Sequence, residues 1–279
     1  MASNLWIGPP GALYEIDQAA TSFDRSAELG VSEFKSLGGR VTITRTAATA
    51  RRMKIGWDRL AAADARVLDR LARRIDGPGP LVLIDPAAGN VLGAAQAAGR
   101  GAAGATDTTG LQQWFKVSTT GAVAEIGAAP GTFAFTAADA TSKVAWRCVP
   151  WGDNFPVAPG ARISFRAPTA FAALPTVAVN IDFKKADGSY LSGPSATGAY
   201  LAATVPAGAV YATACATPGA AGTYALAGAC LAYDDGAADN VPGDGLPAMS
   251  VTAYSDTPGR PLPYRSISLD LVEVASAAG

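Results

Sequence analysis

The sequence predicts a mainly β chain in two parts: a sheet domain flanked by one helix, and a two-sheet sandwich of the jelly-roll type inserted into it. Three observations predict this. The 279 residues contain 31 Gly and 19 Pro, which favours short strands and frequent turns over long helices. Helical spacing of apolar residues is confined to one stretch, 61–75. Short β-prone runs, separated by Gly and Pro, occupy most of the rest.

Taken in order, Ala12–Ile16 is a short candidate strand, and Gly38-Gly39 marks a turn. Arg40-Val-Thr-Ile-Thr-Arg45 alternates polar and apolar, the period of a half-buried strand. Arg51–Trp57 alternates likewise, which places Met53, Ile55 and Trp57 inward and Arg52 and Lys54 outward. Ala61–Ile75 is the predicted helix, with Leu60, Val67, Leu68, Leu71 and Ile75 as its apolar stripe. Asp69 and Arg73 form an i, i+4 pair in the favourable order, and Gly77-Pro78 supplies the stop. Pro80–Asp85 is apolar almost throughout, so it is expected to be buried on both faces or to lie beneath the helix.

Residues 93–110 are almost all small and read as a linker. Candidate strands follow at Trp114–Ser118, Val123–Ile126, Thr132–Phe135, Val144–Val149, Arg162–Ala167, Thr176–Phe183, Val210–Ala216 and Tyr224–Tyr233. Residues 236–248 read as a second flexible tract. Met249–Tyr254 and Ser266–Val274 then return to strand pattern, with Ile267, Leu269 and Leu271 inward. Two terminal strands cannot fold alone. They are therefore expected to complete the N-terminal sheet, with domains at 1–104 together with 246–279 and at 105–245.

The composition removes several function classes. With no histidine, a His-based triad is impossible. Asp153, Asp182, Asp187, Asp234 and Asp235 leave a paired-carboxylate hydrolase formally open, but they sit mainly in turns, where Asp is expected for backbone reasons. Gly99-Arg-Gly101-Ala-Ala-Gly104 has dinucleotide-fingerprint spacing without the strand before it or the helix after it, and is read as linker. The net charge of -1 gives no argument for nucleic acid or an acidic membrane. The arginines crowd into the first third, either as solvated faces or as intersubunit partners. No apolar run approaches the roughly 18–20 residues of a membrane span. The N-terminus lacks the pattern of a signal peptide. Cys148, Cys215 and Cys230 fit neither a disulfide framework nor a zinc site; buried thiols are expected, with a Cys215–Cys230 bridge left open.

Two resemblances add to this reading. The helix, the apolar strand and "IDPAAGNVL" at 84–92, with the closing "PLPYRSISLDLVEV" at 261–274, resemble minor tail and distal tail proteins of actinobacteriophages. That resemblance implies a tail-tube-like β-sandwich with one flanking helix, assembled as a ring, commonly a hexamer, against neighbouring tail tube and tail tip proteins. It also implies a virion tail or baseplate location, with assembly in the bacterial host cytoplasm. The ordered corners "FPVAPGARISFRA", "VAVNIDFKKADGSYLSG", "ATVPAGAVYATACA" and "GACLAYDDG" resemble jelly-roll carbohydrate-binding modules. Pro159-Gly160 sets a tight turn there, and Asp187-Gly188 suits a hairpin.

The second resemblance implies host cell-surface polysaccharide as a partner, with a structural calcium as the one cofactor to consider. Trp151, Tyr190 and Trp146 are the saccharide-stacking candidates, with Trp114 and Tyr200 behind them. Asp234, Asp235 and Asp239 are weak calcium candidates, since their loop lacks EF-hand spacing. The expectation is a non-enzymatic tail component that displays a module for host-surface binding or virion contacts. The alternatives are a free carbohydrate-binding protein and a component of a cell-wall glycan hydrolase.

Overall fold

A computed structural model describes residues 4–28, 30–45, 50–85, 87–101, 110–125, 131–259 and 263–274. The chain is mainly β, and its longest helix is Ala62–Ala72. It divides into two compact units, one built from Met1–Glu15 and Val82–Pro247, the other from Ile16–Leu81 and Ala248–Ala275. These bounds differ from the expected 1–104 with 246–279 and 105–245. Core packing explains the difference. Val82, Ile84, Val91, Leu92 and Ala97 are buried in the same apolar cluster as Trp114 and Phe133.

The smaller unit is an antiparallel sheet ordered Ala248–Pro258, Arg265–Glu273, Ala50–Leu60, Ser22–Glu28. Ile267, Leu269 and Leu271 stand opposite Trp57, Ile55 and Met53. All six are buried, as the alternation of both strands required. The C-terminal strand therefore pairs with Ala50–Leu60, as expected. The helix lays Ala65, Leu68 and Leu71 inward. Its end falls earlier than Gly77-Pro78 suggested, because Arg74 turns to a positive φ of 54°. Ile75 is consequently 52% exposed and lies outside the stripe. The Asp69–Arg73 pair forms at 2.5 Å.

One expectation for this unit fails. Val31–Lys35 and Val41–Arg45 form a separate two-stranded hairpin. Val41 and Ile43 are 50% and 58% exposed rather than half-buried. Alternation says which side chains share a face, but not whether anything covers that face.

In the larger unit, Tyr190–Ser192, Ala178–Lys184, Tyr211–Thr217, Val144–Trp146 and Trp114–Lys116 run side by side. Two three-stranded sheets accompany them: Tyr200–Thr204, Arg162–Arg166, Cys230–Ala232, and Gly222–Ala225, Phe133–Ala137, Ala122–Glu125. Leu5–Gly8 pairs with Leu81–Ile84, with Trp6 opposite Ile84. Aromatics fill the space between sheets; Trp146 meets Phe165 at a centroid distance of 5.0 Å, and Trp114 meets Phe133 at 5.5 Å. The predicted Asp187-Gly188 hairpin forms, with Gly188 at φ 78° joining Ala178–Lys184 to Tyr190–Ser192. The long candidate Tyr224–Tyr233 splits into Gly222–Ala225 and Cys230–Ala232.

Neither presumed linker behaves as one where it is described. Ala94–Ala97 is a helical turn, and Gln96 and Ala97 are buried. Gln96 donates from Nε2 to the Gln113 and Arg147 carbonyls and accepts the Gly93 N–H at Oε1. The last residues of the Gly99–Gly104 fingerprint lie outside the described residues. In 236–248, Ala237 and Leu246 are buried, and the close approach of Gly243 to the Leu92 and Gly93 carbonyls leaves no room for a Cβ.

Candidate functional site

The larger unit carries an open cleft of about 830 Å³, within the range that holds a small ligand. It is lined by Asn4, Trp6 and Glu15 from the start of the chain, by Pro159–Arg162 and by Tyr233–Gly236. Local structure accounts for each position. Along Leu5–Gly8, Leu5 and Ile7 are buried, so alternation turns Trp6 to the opposite face, where it is half-buried, packed in part against the core and in part open to the cleft. Asn4 Nδ2 donates to Glu15 Oε1 at 2.9 Å and holds the two polar side chains together. Gly160, at φ 86°, closes the predicted Pro159-Gly160 turn, from which Arg162 starts its strand.

The remaining wall is stiffened by hydrogen bonds. Tyr233 donates its hydroxyl to the Pro156 carbonyl at 2.5 Å, and burial pushes its phenol well above the usual range, so it remains a donor. Arg162 reaches Asp235 Oδ1 from Nε at 2.9 Å and from Nη2 at 2.6 Å, while Nη1 donates to Thr204 Oγ1. Asp234 Oδ1 accepts the Gly236 N–H at 2.7 Å. Its Oδ2 has no partner among the described residues. An indole edged by carboxylates, an amide and a guanidinium offers both an apolar plate and partners for hydroxyl groups.

The residues expected from sequence fare unevenly. Trp146 and Trp114 are fully buried and present no face to a ligand, which corrects their candidacy. Both alternate into the sandwich core, a direction that their neighbours in sequence did not reveal. Trp151 is half-buried on the turn Val149–Trp151, packed against the core, with Nε1 donating to the Leu246 carbonyl at 3.1 Å. Tyr190 is 63% exposed, opposite Lys184 and outside the cleft lining. Tyr200 donates to the Asp235 carbonyl at 2.6 Å, beside the cleft wall.

The acidic candidates Asp234 and Asp235 belong to the cleft, but their neighbour Asp239 does not. Asp239 accepts from Thr169 Oγ1 at 2.8 Å. Among the described residues, no three acidic or thiol side chains converge in a way that could hold a metal ion. The remaining carboxylates are engaged elsewhere: Asp153 with Arg147, Asp182 with Asn180, and Asp187 with Ser189. Hydrogen bonding from Ser189 holds the Asp187 carboxyl below its usual range. The three cysteines are free and buried, and burial pushes each thiol up. Sequence reasoning missed Trp6, Asn4, Glu15 and Arg162. The one available signal was the lone Trp at alternate register in Leu5–Gly8.

No protein-family model and no curated protein matches the chain. Several solved structures are similar, two of them as follows. The enzymatically active domain of tailspike protein 4 from bacteriophage CBA120 shares 15% identity over 46% of this chain, at a TM-score of 0.30. This chain spans 21% of that domain's length. A carbohydrate-binding module of the β-sandwich superfamily, described for promiscuous specificity, shares 12% identity over 83% of this chain and 99% of its own, at a TM-score of 0.29. Neither TM-score supports transfer of a site or an activity. Among the described residues, no helix is long and apolar enough to cross a membrane.

Proposed function

We propose that this chain is a non-catalytic structural component of a phage tail tip, a minor or distal tail protein that binds host-surface polysaccharide through its larger unit. The observation that carries the reading is the cleft: a half-buried Trp6 ring that lines it together with Asn4, Glu15, Arg162 and Asp234. A pyranose presents an apolar face and an edge of hydroxyls, and the cleft offers a counterpart to each. The test is retention of the purified chain on the cell-wall polysaccharide of an actinobacterial host. Trp6→Ala is expected to weaken retention at least about tenfold, measured at a temperature where the larger unit of the variant remains folded. Equal retention of the variant would sink the reading.

Self-assembly is the second part of the proposal, as a ring that is commonly a hexamer in the tail proteins it resembles. Two features of the smaller unit support it. The Ser22–Glu28 strand ends its side of the sheet, and an edge strand favours pairing. The separate hairpin exposes Val31, Phe34, Leu37, Val41 and Ile43. A two-stranded hairpin is marginal in water unless something covers it. Phe34→Ser with Ile43→Ser is expected to shift the mass measured by light scattering from a closed oligomer to monomer. A wild-type chain that is monomeric in assembled tails would defeat the idea.

A further inference from the structure

We infer that the cleft lined by Trp6 and Tyr233–Gly236 takes uncharged glycans and excludes anionic ones. The inference rests on the saccharide-binding reading and adds a ligand class to it.

Charge is the first argument. Among the described residues, Glu15, Asp234 and Asp235 line the cleft against a single cation, Arg162. That cation is already spent. Its Nε and Nη2 face Asp235, and its Nη1 faces Thr204. Among the described residues no other Lys or Arg lines the cleft, so none of them compensates a uronate, a phosphate or a sulfate. An anionic group would sit beside the carboxylates of Glu15 and Asp234 without a partner, an arrangement that like charge makes costly.

Acceptor chemistry is the second argument. Asp234 is oriented by the Gly236 N–H through Oδ1, while Oδ2 keeps no partner among the described residues. Glu15 is oriented through Oε1 by the Asn4 amide. Ionised carboxylates accept only, and each held this way suits the O–H donors of a neutral sugar. Trp6 supplies the plate on which the apolar face of the ring would rest.

The test uses the full chain on a glycan array that contains neutral, anionic and amine-bearing polysaccharides, with wild type and Trp6→Ala side by side. The expected hits are neutral glycans whose signal falls at least about tenfold in Trp6→Ala and is insensitive to salt. Salt would strengthen any residual binding of anionic glycans, since it screens the repulsion. The second variant is Glu15→Gln with Asp234→Asn. It keeps both oxygen acceptors that meet Asn4 and Gly236, so the fold is preserved, and it removes the two uncompensated charges. It is expected to improve anionic binding relative to neutral by about tenfold. Trp6-dependent binding of anionic glycans by the wild type, or of amine-bearing ones alone, would overturn the charge inference and leave the proposed function standing. An array with no Trp6-dependent signal would overturn both.

Discussion

Asn90→Ala is expected to cost the larger unit about 4 kcal/mol, read as a fall in its urea midpoint at unchanged slope. Asn90 is fully buried. Its Nδ2 donates to the Ala229 carbonyl at 3.1 Å and the Val241 carbonyl at 2.8 Å. Its Oδ1 accepts the Leu92 and Leu231 N–H groups, both at 3.1 Å. One side chain thus satisfies four backbone groups from three separate segments. Alanine strands them all, and an unsatisfied buried group costs about 1–3 kcal/mol. Local relaxation and entering water recover part of that sum. Asn90→Asp should be worse at neutral pH, since a carboxylate would face two carbonyl oxygens where the amide donated. A loss below about 1 kcal/mol for Asn90→Ala would show that these groups find other partners, and the account of this corner would be wrong.

Trp146→Ala is expected to destabilise the same unit by about 3–5 kcal/mol, the range for removing a fully buried large aromatic. The ring has no exposed surface and packs on Phe165. Its Nε1 is buried without a partner among the described residues. Trp146→Phe should therefore cost less than the lost volume alone suggests, because it removes that unpaired N–H along with the second ring. Thermal melts of the three proteins would measure the order wild type, Phe, Ala. At a temperature where all are folded, saccharide retention should be unchanged. Selective loss of binding in folded Trp146→Ala would return this residue to the site. Trp6→Ala should show the reverse emphasis: binding lost in a unit that stays folded, with a smaller fall in the melt than Trp146→Ala, since its ring is only half-buried against the core.

These two residues show why parts of the molecule were legible and others were not. Met53, Ile55 and Trp57 could be read as an inward face because strand alternation is a local rule, and Ile267, Leu269 and Leu271 obey the same rule on the strand opposite. The corners at Pro159-Gly160 and Asp187-Gly188 were legible because turn chemistry is local too. The 93–101 tract was not. Alanine and glycine carry no period, and its order comes from Gln96 reaching two distant carbonyls. Asn90 lay inside the most distinctive stretch of the sequence, yet none of its partners can be inferred from that stretch.

The cleft was hidden for the same reason. Trp6 and Glu15 come from the start of the chain, Arg162 from its middle, and Asp234 from a loop far beyond. By itself the sequence determined a mainly β chain with one long helix, the inward faces of its clearest strands, and the exclusion of histidine chemistry. Only the tertiary structure decided which aromatics are core and which line a cleft. Alternation sorts side chains onto two faces but does not say which face meets another sheet. That depends on burying large apolar area against residues distant in sequence, and here that burial drew Val82 and Ile84 into the same core as Trp114.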